Sequence, residues 1–157
     1  LLETDEVQLL QCNLDDMTPE AMAFAMDRLL SAGALDVWFA PIYMKKNRPG
    51  TILSVLCRPE DGPRLRLLLL RETTTLGVRW QSFSREVAQR QVDEVVTPWG
   101  VVRRKLKLLG GRVVAAKPEY DDCARLAREH GLSLDQVVEA ARQAKPLGRT
   151  GGAQDDE

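Results

Sequence analysis

At 157 residues the chain has room for one ordinary domain or two small ones, which excludes a large multidomain enzyme. Its composition is 44% hydrophobic and 29% charged, which is typical of a soluble globular protein, and the formal charge of -1 excludes little. No apolar run nears the ~20 residues that a membrane-spanning helix needs, and no long basic stripe interleaved with aromatics supports extended nucleic-acid binding.

Residues 7–14 read as a first strand, broken by Asp15 and Asp16. Thr18 as N-cap, Pro19 at the first helical position and Glu20 in the first turn then open a helix. Met22, Met26 and Leu29 supply its apolar face, and Gly33 closes it. Residues 35–44 form a second strand, 47–50 a turn and 51–57 a returning strand. A second helix starts at Pro59, carries Leu65, Leu68 and Leu69 on one face, and ends at Thr73, Thr74 and Thr75, whose β-branched side chains favour extended backbone. Residues 76–87 form the fourth strand. The predicted class is α+β: a ferredoxin-like βαββαβ domain over 7–87.

A second unit follows over 88–145, a small β-hairpin plus helical domain. Pro98-Trp99-Gly100 turns a hairpin between 92–97 and 101–109, and Gly110-Gly111 leads into 113–116. Pro118 is expected to open a helix that ends at Gly131. Ser133 with Gln136 forms a capping box for a last helix. Residues 146–157 lack apolar periodicity and read as a disordered tail.

Three clusters could carry chemistry. In Asn13-Leu14-Asp15-Asp16-Met17-Thr18-Pro19-Glu20, the carboxylates of Asp15, Asp16 and Glu20 suit a hard divalent cation, though capping and solvation explain the same spacing. Lys45, Lys46 and Arg48 crowd a turn, and Arg71 and Arg79 bracket Thr73, Thr74 and Thr75; together these cations and hydroxyls suit phosphate, although no P-loop order is present. The turn and the threonine loop are expected at different ends of their neighbouring elements, so that a subunit interface would be needed to unite them. Asp121 and Asp122 are further metal candidates, equally explained by a helix N-terminus. Cys12, Cys57 and Cys123 are distant and odd in number, which argues against a disulfide framework and for core packing in a reducing compartment. His130, the single histidine, is explained by a helix C-terminus.

The strings NLDDMTPE (13–20), GALDVWFAPIYMKKNRPG (33–50), LCRPED (56–61), RETTTLGVR (71–79) and KPEYDDC (117–123), in this order, resemble the pyridinium bis-thiocarboxylate mononucleotide nickel-insertion proteins. The resemblance implies the C-terminal part of a CTP-dependent cyclometallase that places Ni2+, as substrate metal, into pyridinium-3,5-bisthiocarboxylic acid mononucleotide, completing the nickel-pincer nucleotide of lactate racemase-type enzymes. It further implies CTP bound with Mn2+ or Mg2+, an N-terminal part of the same protein as partner, homotrimeric or hexameric assembly and a cytoplasmic location. Neither nucleic acid nor membrane is an expected partner. A chain beginning without methionine fits a C-terminal piece. The contrasting expectation is a non-catalytic nucleotide-sensing or assembly module.

Overall fold

The computed structural model describes residues 2–147; the expected tail at 146–157 lies outside them except for Pro146 and Leu147. The chain divides into two compact units, Thr4–Glu86 and Leu1–Glu3 with Val87–Glu157.

In the first unit, β1 (Glu3–Leu14), β2 (Asp36–Met44), β3 (Arg48–Cys57) and β4 (Arg79–Val87) form one sheet in the order β2-β3-β1-β4. Helix α1 (Pro19–Ser31) lies between β1 and β2 in sequence, and α2 (Gly62–Glu72) between β3 and β4. β1 and β2 each pair antiparallel with β3, with Leu10 opposite Val55 and Val37 opposite Val55. Alternation does the sorting. Leu10, Cys12 and Leu14 of β1 join Leu53, Val55 and Cys57 of β3 beneath Leu29 of α1 and Leu65 and Leu69 of α2, in one core of buried residues. Residues 9, 11 and 13 therefore face the other side of the sheet.

Local signals set the helix boundaries. Thr18 has extended backbone, and its hydroxyl accepts from the Ala21 amide at 3.3 Å. Pro59 begins a short 3-10 turn (Pro59–Asp61) and α2 proper starts at Gly62, later than expected. A Cβ at Gly62 would stand 2.2 Å from Gln8 Oε1, so the Gln8 side chain lies directly over this helix start. β1 and β3 are both longer than their apolar patterns: exposed Glu3, Thr4, Asp5 and Glu6 extend β1, and Arg48, Pro49 and Gly50 extend β3.

The second unit holds β5 (Gln89–Thr97), β6 (Gly100–Leu109) and β7 (Arg112–Pro118) as a three-stranded antiparallel sheet, followed by α3 (Tyr120–His130) and α4 (Leu134–Gln143). The hairpin thus gains a third strand. Pro118 does not open a helix. It is the last residue of β7, buried, and Glu119 occupies the N-cap position of α3. A proline at a strand terminus removes no ladder bond, so the same residue type suited both readings. Gly131, at φ 64, closes α3, and the capping box of Ser133 and Gln136 is formed with both bonds present. Val95, Val102, Cys123, Leu126, Val137 and Ala141 make the core of this unit.

Arg104 shares that interior, only 6% exposed. Its guanidinium grips Asp93 with bonds of 2.9 and 2.6 Å and donates to the carbonyls of Ala141 and Ala144 at 3.3 and 3.2 Å. A buried cation is tolerated because its donors are satisfied, and the helix C-terminal carbonyls it meets are the negative end of α4. Beyond α4, Pro146 bridges Val95 and the Leu147 amide donates to the Glu94 carbonyl at 2.8 Å.

Candidate functional site

The chain order of the first unit brings three connections to one end of its sheet. β1 finishes there at Leu14, opposite Thr51 near the start of β3. The Asp15-Asp16 dipeptide follows, lying between the β2–β3 turn on one side and the loop before β4 on the other. Arg48 Nη1 reaches Asp15 Oδ2 at 3.6 Å. The Thr74 hydroxyl donates to Asp16 Oδ1. Arg79 Nη2 donates to Asn13 Oδ1 at 2.8 Å. The turn and the threonine loop thus share one carboxylate pair, so no second subunit is needed to unite them. They lie at the same end, not at different ends as expected, because β3 and β4 flank β1 and both enter the sheet from the side where β1 finishes.

The three threonines are not equivalent. Thr73 donates to the Leu69 carbonyl at 2.7 Å and finishes α2, while Thr75 donates to the Gly77 carbonyl at 2.9 Å. Burial pushes the Cys12 thiol up, opposed by hydrogen bonding to Thr75 and Thr73 and by the charge of Arg79. Those two hydroxyls are engaged by backbone carbonyls and hold the loop. Thr74 alone of the three turns toward a carboxylate.

The turn itself is strained. Lys46 and Asn47 sit at φ 60 and 57, in the left-handed region that non-glycine residues seldom adopt. The ammonium groups of Lys45 and Lys46 are exposed and make no ion pair among the described residues. Next to the turn, Leu14, Asp15, Met17, Met22, Pro49, Gly50 and Thr51 line a cavity of about 240 Å³. Gly50 keeps this corner open, since a Cβ there would stand 2.9 Å from the Leu14 carbonyl oxygen and 2.7 Å from Met44 Sδ. Asp15 gives the cavity a charged rim over sulfur-bearing, polarizable walls.

Other expected members lie elsewhere. Arg71 lines a groove of about 320 Å³ with Arg28, Arg64, Leu67 and Leu68, between α1 and α2. Glu20 is exposed on the first turn of α1 and makes no ion pair among the described residues. Asp121 and Asp122 belong to the second unit. There Arg103 clamps Asp122 through its side chain at 2.9 and 2.8 Å and through its amide at 3.0 Å, and this holds the Asp122 carboxyl down at about 2. Asp122 is a structural anchor of the α3 N-terminus. Among the described residues no group of three or more His, Cys, Asp or Glu side chains is gathered to hold a metal ion. The chemistry that fits is narrower. Asp15 and Asp16 offer two hard oxygen donors beside cations, an incomplete set that suits an ion sharing its remaining positions with water and phosphate oxygens.

Asn13 was not among the expected site residues, although its place two residues beyond Gln11 puts it on the open face of β1 next to Arg79. All three cysteines are free and buried, as their core reading required, and burial pushes each thiol up. No helix is long and apolar enough to cross a membrane among the described residues.

A family model described as "Nickel insertion protein" matches residues 1–138. A "Putative nickel insertion protein" of Roseiflexus castenholzii is 50% identical over 131 residues, 83% of this chain and 33% of that protein. A "Pyridinium-3,5-bisthiocarboxylic acid mononucleotide nickel insertion protein" of Geobacillus kaustophilus is 43% identical over 142 residues, 90% of this chain and 34% of that protein. The chain therefore spans about a third of the length of the curated relatives it matches. Among solved structures, "LarC2, the C-terminal domain of a cyclometallase involved in the synthesis of the NPN cofactor of lactate racemase, apo form" is 43% identical with a TM-score of 0.84, over 88% of this chain and 96% of that one. The protein MK0293 from Methanopyrus kandleri AV19 is 26% identical with a TM-score of 0.67, over 91% of this chain and 92% of that one.

Proposed function

The chain belongs to the nickel insertion protein family, and on that premise we propose that it is the CTP-binding, divalent-metal-binding and oligomerising part of a CTP-dependent cyclometallase. The whole protein would insert Ni2+ into pyridinium-3,5-bisthiocarboxylic acid mononucleotide and act in the cytoplasm. Nickel and the pyridinium compound are its substrates, the N-terminal part of the same protein its partner, and a homotrimer or hexamer its assembly. We take a ferredoxin-like domain as the scaffold, a reading supported by the strand succession and the order β2-β3-β1-β4.

The observation that carries this reading is the placement of Asp15 and Asp16 between Arg48 and Thr74. A nucleotide triphosphate needs cations for its oxygens and a counter-ion for the charge they leave over. Lys45, Lys46 and Arg48 supply the first. The two carboxylates, together with the phosphates, would hold the second, Mn2+ or Mg2+, which when bound neutralises phosphate charge and fixes its orientation. Arg48 meets one oxygen of Asp15 and Thr74 one oxygen of Asp16, which leaves each carboxylate a second oxygen to offer an ion. Arg79 keeps Asn13 at the rim. Soft sulfur donors on the pyridinium substrate suit nickel, whereas this all-oxygen set suits a harder ion, so the nucleotide's metal and the inserted metal would occupy different places.

Calorimetric titration of the chain with CTP, ATP and GTP, each with and without Mn2+, tests the proposal. The expected result is metal-dependent binding that favours CTP and weakens at least ten-fold in Arg48→Ala and in Asp16→Asn, given about 1.5–3 kcal/mol for a charge-assisted contact. Because Arg48 and Thr74 meet exposed groups, both variants should keep wild-type stability to about 0.5 kcal/mol. Undiminished binding in both variants would falsify the assignment. Binding of CTP without turnover, even in a protein reconstituted with its N-terminal part, nickel and pyridinium substrate, would favour the nucleotide-sensing module instead.

A further inference from the structure

We propose that the outward face of the three-stranded sheet is a docking surface for an acidic polypeptide segment. The register carries the argument. Val95 opposite Val102 and Asp93 opposite Arg104 face the helices, so the alternate pairs face outward. Two of these outward pairs match like charges: Arg90 stands directly opposite Lys107, and Lys105 directly opposite Lys117. Directly opposed like charges destabilise an antiparallel pair. Lysines that guard against strand addition belong on edges, but Lys105 and Lys107 are on β6, the central strand of the order β5-β6-β7.

The molecule neutralises only part of this charge. Lys105 meets Glu119 at 2.9 Å and Arg103 meets Asp122 at 2.8 Å. Arg90, Lys107 and Lys117 are exposed and make no ion pair among the described residues, while Glu94 is the one acidic residue of β5 on that face. The same face offers aliphatic anchors: Val92, Val96 and Val101 are 64%, 55% and 43% exposed, with Val96 opposite Val101. Cations beside β-branched apolar side chains match a carboxylate-bearing peptide with aliphatic residues. Single-stranded nucleic acid is the poorer fit, because no aromatic side chain of the face could stack a base.

The test uses the whole chain, melted at low ionic strength alone, with poly-L-glutamate, and with a short duplex DNA of equal charge. Poly-L-glutamate should raise the melting temperature of the wild type, and the rise should fall at least two-fold in the double variant Lys107→Thr with Lys117→Thr. That variant should melt above the wild type when no probe is present, since the opposed charges are gone, and this also shows that it folds. A charge-matched control, Arg128→Gln with Lys145→Gln, should keep the full rise. No rise in the wild type, an equal rise in the double variant, an equal loss in the control, or a larger rise with DNA would each overturn the proposal.

Discussion

The two units use the same chemical pair, an arginine and an aspartate, in opposite ways. In the second unit Arg104 and Asp93 meet through two bonds of 2.9 and 2.6 Å with side chains only 7% and 17% exposed. In the first, Arg48 touches Asp15 at 3.6 Å with side chains 59% and 29% exposed. The former pair is two-bonded and largely desolvated, with its guanidinium also committed to the Ala141 and Ala144 carbonyls, so it has little left with which to bind a ligand. The latter keeps free donors and free lone pairs in contact with water, and costs little to open. The charge proposed to bind ligand is therefore charge that is left unfinished.

The sharpest way to break that contrast is Arg104→Ala. It strands Asp93 in a dry setting and frees the carbonyls of Ala141 and Ala144, which should cost about 3–5 kcal/mol, read from urea unfolding. A cost below about 1 kcal/mol would make Arg104 no more structural than Arg48. Next is Gly50→Ala, whose Cβ would press on the Leu14 carbonyl and Met44 Sδ. Overpacking of this kind costs about 1–3 kcal/mol, and CTP affinity should fall with it, because the cavity beside Asp15 closes. The smallest effect is the pH dependence of Asp122. Its carboxyl is held at about 2 against an ordinary 3.8, so the folded state binds this proton less readily than the unfolded state. The stabilisation is present in full above the ordinary value and disappears as pH falls through about 2. Asp122→Asn should therefore flatten the acid limb of stability against pH, measured by denaturant titration between those values; an unchanged limb would remove the clamp from the acid response.

What could be read in advance was local. Thr18, Pro19 and the Ser133–Gln136 box announce helix starts within four residues, and the structure forms both. The alternation of Val102, Arg104, Leu106 and Leu108 also lay in the sequence. It puts an arginine on a core face, and Asp93 opposite it required only the hairpin register. The site was harder, since Asp15 meets Arg48 and Asp16 meets Thr74 across intervening helices and strands. Nothing near Asp16 in sequence chooses Thr74 over Thr73 or Thr75; the loop's own backbone does, by engaging Thr73 with the Leu69 carbonyl and Thr75 with the Gly77 carbonyl. Arg71 shows the same limit from the other side. Its neighbours in sequence are the threonines, but helical geometry turns it to the groove with Arg28 and Arg64.

The short return of the chain after α4 has a consequence for aggregation. By placing Pro146 against Val95 and the Leu147 amide on the Glu94 carbonyl, it occupies part of the free margin of β5 with a residue that has no amide hydrogen to offer. The opposite margin has no such seal among the described residues: β7 carries exposed Val113 and Val114, flanked by Arg112 and by Lys117 and Pro118. Those flanking residues act as gatekeepers, so colloidal stability of this unit depends on a strand of seven residues whose guards lie at its two ends.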